Sequence, residues 1–148
     1  MDQPTPPRTI DALLDQYAES HRDPVNELIH IVCVPVIVFT LLGILWAIHP
    51  LVALAASGAA LWYYLKLSRP CALGMLAMIV LMLGVLFSMP PFTVLPMSLS
   101  LFVVAWIGQF IGHKIEGKKP SFVDDLRFLL IGPLFVLSFL YRRLNLAY

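Results

Sequence analysis

Ile31-Val32-Cys33-Val34-Pro35-Val36-Ile37-Val38-Phe39-Thr40-Leu41-Leu42-Gly43-Ile44-Leu45-Trp46-Ala47-Ile48 is a run of eighteen residues without a charge. A helix needs roughly 20 apolar residues to cross a bilayer, so this run alone nearly makes a span. Pro35 lies inside it and predicts a kink near its start. Just upstream, Asp23-Pro24 has the form of a helix start, because Asp caps well and Pro is favoured at the first helical position. The helix begun there carries Asn26 and His30 on one face and enters the apolar run directly.

Downstream the pattern repeats. His49-Pro50 reads as a very short turn, followed by a second span over residues 51–65, whose Ala55, Ala56, Gly58 and Ala59 allow close approach of a neighbouring helix. A homo-oligomer stays open. Trp62, Tyr63 and Tyr64 have the placement of an interfacial aromatic belt. Lys66 to Pro70 is a charged turn, and residues 71–88 form a third span with Gly74 and Gly84 as expected packing points. Residues 89–96 contain Pro90, Pro91 and Pro96 and are expected to be a turn rather than regular helix. A fourth span covers residues 97–112. A last apolar run, residues 128–141, is only fourteen long with Pro133 in its middle, and it either spans, re-enters or lies in the interface.

Before the first span, residues 1–8 are Pro-rich and expected to be a disordered tail. From Thr9, a candidate N-cap, Ile10, Leu13, Leu14 and Tyr17 recur at helical spacing, which predicts a short helix along the membrane surface. The chain is thus expected to be all-α: an integral membrane helical bundle of four spans plus a short fifth segment, with residues 9–148 forming one domain. Composition agrees. Of 148 residues, 59% are apolar and 13% charged, about half the charged share of soluble proteins. Net charge +1 and the absence of a basic patch interleaved with aromatics leave no argument for nucleic-acid binding. Cys33 and Cys71 are expected to be separate thiols rather than a disulfide framework.

Charge sets the topology, because Lys and Arg favour the cytoplasmic side. Arg8 and Arg22 precede the first span, Lys66 and Arg69 lie between the second and third, and Lys114, Lys118 and Lys119 follow the fourth. The other two connections carry neither residue type. Four spans with a cytoplasmic N-terminus satisfy this pattern, and Arg142 and Arg143 speak against a full fifth crossing. His21, Asn26, His30, His113 and Glu116 then fall in one cytoplasmic layer, and His49 on the far side. If the fourth helix continues past Gly112, then Gln109, His113 and Glu116 share a stripe, and Gly117 is placed to end the helix in the left-handed region. Three histidines and a carboxylate at one depth can build a divalent metal site. Non-haem iron that activates oxygen fits this donor set, and so does zinc.

Other chemistries lack their signatures. Ser20 and Ser121 sit on no nucleophile elbow. There is no Gly-rich phosphate loop, Asp124 and Asp125 read as a solvated helix start rather than a glycosidase pair, and the spans hold no charged relay for transport.

His21-x4-Asn26-x3-His30-x4-Pro35, followed by Gln109-Phe110-Ile111-Gly112-His113-x2-Glu116-Gly117-x2-Pro120, resembles the Mpo1-like family of small membrane proteins, from about residue 17 to 141. The resemblance implies an iron(II)-dependent dioxygenase of the endoplasmic reticulum, or of the inner membrane in a bacterium, that shortens 2-hydroxy fatty acids by one carbon in alpha-oxidation. Its implied partners are a long-chain 2-hydroxy fatty acid, O2 and membrane lipid. It implies His21, His30 and His113 as essential histidines, with Glu116 and Asn26 at matching polar positions and Glu116 counted with the metal ligands. The acid's tail would lie between helices while Lys114, Lys118 or Lys119 attracts its carboxylate. A membrane scaffold and a zinc-dependent lipid hydrolase are the competing readings.

Overall fold

The computed structural model describes residues 8–117 and 128–147. Residues 1–7 of the expected tail over residues 1–8, and the loop carrying Lys118, Lys119, Pro120, Ser121, Asp124 and Asp125, lie outside the described residues. Among the described residues the fold is six helices and no strand: α1 (Thr9–Ala18), α2 (Pro24–Ile48), α3 (Pro50–Leu67), α4 (Arg69–Ser88), α5 (Pro91–Ile115) and α6 (Ile131–Arg143). Four of them, α2 to α5, are long and apolar enough to cross a membrane, with 18 to 25 residues each. Their outer surface is apolar too: Phe87 is 79% exposed and Phe92 81%, which suits lipid rather than water.

The breaks between spans are built from caps and prolines. Asp23 accepts hydrogen bonds from the Val25 and Asn26 amides, the His49 ring from the Leu51 amide, and Ser68 from the Cys71 amide. Pro24, Pro50 and Pro70 then stand in the first turn, where no amide donor is needed. This is why α3 and α4 begin one or two residues earlier than the apolar runs predict.

The expected turn over residues 89–96 is corrected in the same way. Pro91 opens α5, and the helix runs through Pro96 unbroken. The lost amide falls in the second turn of the helix, and Pro is well tolerated in such helices. α2 likewise continues through Pro35. Thr9 is the first residue of α1 and makes no cap; Arg8 precedes it, paired with Asp11 at 2.8 Å.

Two helices form the spine. α2 and α5 run antiparallel in close contact, and Gly43, Gly108 and Gly112 are what permits it. A Cβ on Gly108 would stand 2.7 Å from the Cys33 sulfur, one on Gly43 would strike Ser98, and one on Gly112 would strike the Asn26 side chain. The glycines expected to pack are otherwise placed: Gly58 and Gly84 face open space, as do Ala55 and Ala59, whereas Gly74 does lie against Leu137 and Tyr141.

α6 has 13 residues, a rise of about 20 Å against roughly 30 Å of hydrocarbon, so it is too short to span. It packs on α1, α2 and α4 at the end of the bundle where α3 passes into α4. Tyr64 donates to the Leu130 carbonyl at 2.9 Å and Tyr141 to the Pro70 carbonyl at 2.6 Å. Tyr64 is therefore turned inward, not part of an aromatic belt; Trp62 stays outside with the Lys66 ammonium 3.5 Å from its ring centre. The apolar stripe of α1 faces the bundle. Its Ile10, Leu14 and Tyr17 are buried against Ile131, Leu134 and Phe135 of α6 and Met75 of α4, so its apolar stripe is covered by protein.

Candidate metal centre

α1, α2 and α5 each bring one histidine to the same point. His21 follows the C-terminus of α1, His30 sits in the second turn of α2, and His113 in the last turn of α5. Because α2 and α5 are antiparallel, the start of one lies beside the end of the other. The ring centres are 4.1 Å apart for His21–His30, 5.0 Å for His30–His113 and 5.6 Å for His21–His113. One nitrogen from each ring lies within 4.8 Å of the others, so the three can hold a metal ion. All three are buried, His30 at 1% exposure.

Two of the rings have a defined orientation. His21 Nδ1 lies 2.7 Å from the Tyr17 carbonyl, and His30 Nδ1 lies 2.9 Å from the Asn26 carbonyl. A carbonyl only accepts, so each Nδ1 carries the proton and Nε2 of the neutral ring keeps the lone pair for a ligand. Each bond spans four residues, a helical spacing. Tyr17 also stacks on His21, with centres 4.2 Å apart and planes 8° from parallel, and Phe135 of α6 approaches the same ring. Tyr17 and Phe135 did not stand out as site residues in the sequence. Tyr17 was legible as the residue four before His21; Phe135 was not, since α6 reaches the centre only through tertiary packing.

Glu116 and Asn26 stand beside the trio rather than in it. The Glu116 carboxylate accepts from the Arg22 amide at 2.9 Å, the Asp23 amide at 2.8 Å and the Asn26 side-chain amide at 3.1 Å. Burial by itself raises the Glu116 pKa. The amides of Asp23 and Arg22, the Asn26 side chain and the nearby His21 outweigh it and hold the carboxyl below its ordinary value. The carboxylate thus ties the end of α5 to the loop that carries His21. Asn26 orients His30 through its backbone carbonyl, while its side chain donates to Glu116 and to the Ser20 carbonyl at 3.3 Å. Gln109 is buried on the stripe of His113, Gly117 has φ +72°, and Lys114 is exposed nearby. His49 sits at the other end of α2, as an exposed cap of α3.

Fold and site together define a helical membrane-type protein with a buried three-histidine centre at one end of its bundle. The chain matches the family described as "Mpo1-like: 2-hydroxy-palmitic acid dioxygenase Mpo1-like" over residues 8–144, and it belongs to that family. It is 30% identical over 133 residues to the 2-hydroxy-palmitic acid dioxygenase MPO1 of Saccharomyces cerevisiae, covering 85% of this chain and 76% of the yeast protein. No solved structure matches it.

Proposed function

We propose that this protein is an iron(II)-dependent dioxygenase that shortens long-chain 2-hydroxy fatty acids by one carbon. The observation that carries the reading is the convergence of three buried histidine nitrogens within 4.8 Å, in a chain related to an enzyme named for that chemistry. The donor set fits the metal: three imidazole nitrogens leave coordination positions open, as oxygen-activating iron requires. Zinc shares these ligands, and the relation to a dioxygenase favours iron.

His21, His30 and His113 would hold the ion, and bound iron(II) would supply electrons and open positions for dioxygen and substrate. The remaining work belongs to the chain. The Tyr17 and Asn26 carbonyls keep the ligand nitrogens aimed inward. Tyr17 and Phe135 wall the centre from water. Lys114 draws the acid's carboxylate to this end of the bundle, which we place on the cytoplasmic side from the Lys and Arg pattern. The net reaction balances as R–CH(OH)–COOH plus O2 giving R–COOH, CO2 and H2O. The bond between the carboxyl carbon and the hydroxyl-bearing carbon breaks, and dioxygen takes the four electrons.

Two measurements test the proposal on detergent-purified protein. Metal analysis should find iron near one per chain, and gas chromatography should find the acid one carbon shorter from a 2-hydroxy acid but not from the unhydroxylated acid of equal length. Chain shortening that survives removal of iron rules out the metal's role. Stoichiometric zinc without oxygen consumption turns the reading toward a hydrolase.

A further inference from the structure

Gln109 lies one turn before His113 on α5, 5% exposed, and its Nε2 has no hydrogen-bond partner among the described residues. A buried amide donor without a partner costs free energy, the more so at membrane depth, and such groups call for an explanation. This one lines a narrow cleft of about 40 Å³ with Tyr17, Trp106 and Gly132. Tyr17 is the residue stacked on His21, so the cleft lies one side chain away from the centre, though no histidine lines it. Val38 and Leu129 line this cleft and also a second, apolar one of about 140 Å³ that reaches Ser57 and Ala60 of α3 and Ile79 of α4. A mainly apolar cleft with Gln109 as a buried amide donor thus shares a wall with a second apolar cleft between helices. That is the shape of a molecule with a charged head and one long tail.

Resting on the dioxygenase reading, we infer that Gln109 binds the substrate head, its Nε2 donating to a carboxylate oxygen of the 2-hydroxy acid, while the acyl tail enters the cleft between α2, α3 and α4. The clefts hold only part of a long tail, and the rest passes into lipid. Gln109 is a substrate-binding residue in this account and takes no part in bond breaking.

Binding of a long-chain 2-hydroxy acid and of the matching 1,2-diol, measured without oxygen on iron-loaded wild type and Gln109→Leu, tests the head. Wild type should prefer the acid by about tenfold or more, the worth of a hydrogen bond to a charged group. Gln109→Leu should lose about tenfold of that preference, the share of one hydrogen bond, while what Lys114 contributes stays, with iron content and the unfolding midpoint unchanged. Gln109→Met, unbranched like Gln, is the second variant and covers misfolding of the first. Undiminished acid preference in both variants overturns the assignment of Gln109 alone. Failure of the wild type to bind any 2-hydroxy acid overturns the dioxygenase reading and this inference with it. An acid carrying a photoreactive group in mid-tail should label the Ser57–Ala60 or Ile79 region and be displaced by excess unlabelled acid. Labelling confined to outward residues such as Leu81, and not displaced, overturns the tail path.

Discussion

Glu116→Ala should loosen the metal centre without removing a ligand. The carboxylate accepts three hydrogen bonds, two to the backbone amides that directly follow His21. A bond to a charged group contributes about 1.5–3 kcal/mol; the one to Arg22 is exposed and the other two are only partly buried, so all three are discounted for solvent screening and the variant should lose about 2–4 kcal/mol of stability. Freed from α5, the loop no longer fixes His21 opposite His30 and His113. Loss of groups that orient metal ligands typically weakens metal binding about 10–100-fold. Glu116→Gln keeps one acceptor oxygen and should fall between wild type and Glu116→Ala. The assay is competition for iron against a calibrated chelator, with circular dichroism confirming helix content. Acid titration adds a second readout. The folded Glu116 pKa lies below its unfolded value, so its stabilisation is present above the ordinary glutamate range and is lost as pH falls through the folded value. Glu116→Ala should flatten that acid limb. Wild-type iron affinity in folded Glu116→Ala would refute the clamp. Iron loss in Glu116→Gln as complete as in His113→Ala would show instead that the carboxylate binds the metal itself.

His21→Ala, His30→Ala and His113→Ala should each abolish stoichiometric metal in elemental analysis, whereas His49→Ala, at the far end of α2, should retain it; equal loading in His113→Ala and wild type contradicts the three-ligand centre. Cysteines placed at Ser68 and Thr93 should label from opposite sides of the membrane, and labelling from one side overturns the four-span topology. Gly108→Ala puts a methyl 2.7 Å from the Cys33 sulfur and should cost about 1–3 kcal/mol by thermal unfolding in detergent, while Gly58→Ala, with nothing within 4 Å, should be neutral or slightly stabilising. Equal effects of the two would mean that α2 and α5 are not in contact at Gly108.

The fold was legible where one local rule dominated. Charge-free runs of near-spanning length define α2 to α5, and Asp23-Pro24, His49-Pro50 and Ser68 mark where helices start, because caps and first-turn prolines act through neighbours in sequence. The alternation of four spans was enough to put His21, His30 and His113 at one depth. Contact was beyond it. In lipid the outward faces of helices are as apolar as the inward ones, so hydrophobic pattern does not say which stripe meets a neighbour. That is why Gly58 and Gly84 were expected to pack and do not, while Gly43, Gly108 and Gly112 do. Only the antiparallel pairing of α2 with α5 brings His30 within reach of His113, with ring centres 5.0 Å apart. Only the tertiary structure shows Glu116 holding the His21 loop, since those hydrogen bonds join residues more than ninety positions apart. The same holds for Phe135, which α6 carries back to the centre. Local composition selects helices and their ends; the choice of facing surfaces is a property of the packed bundle, and the metal centre exists only there.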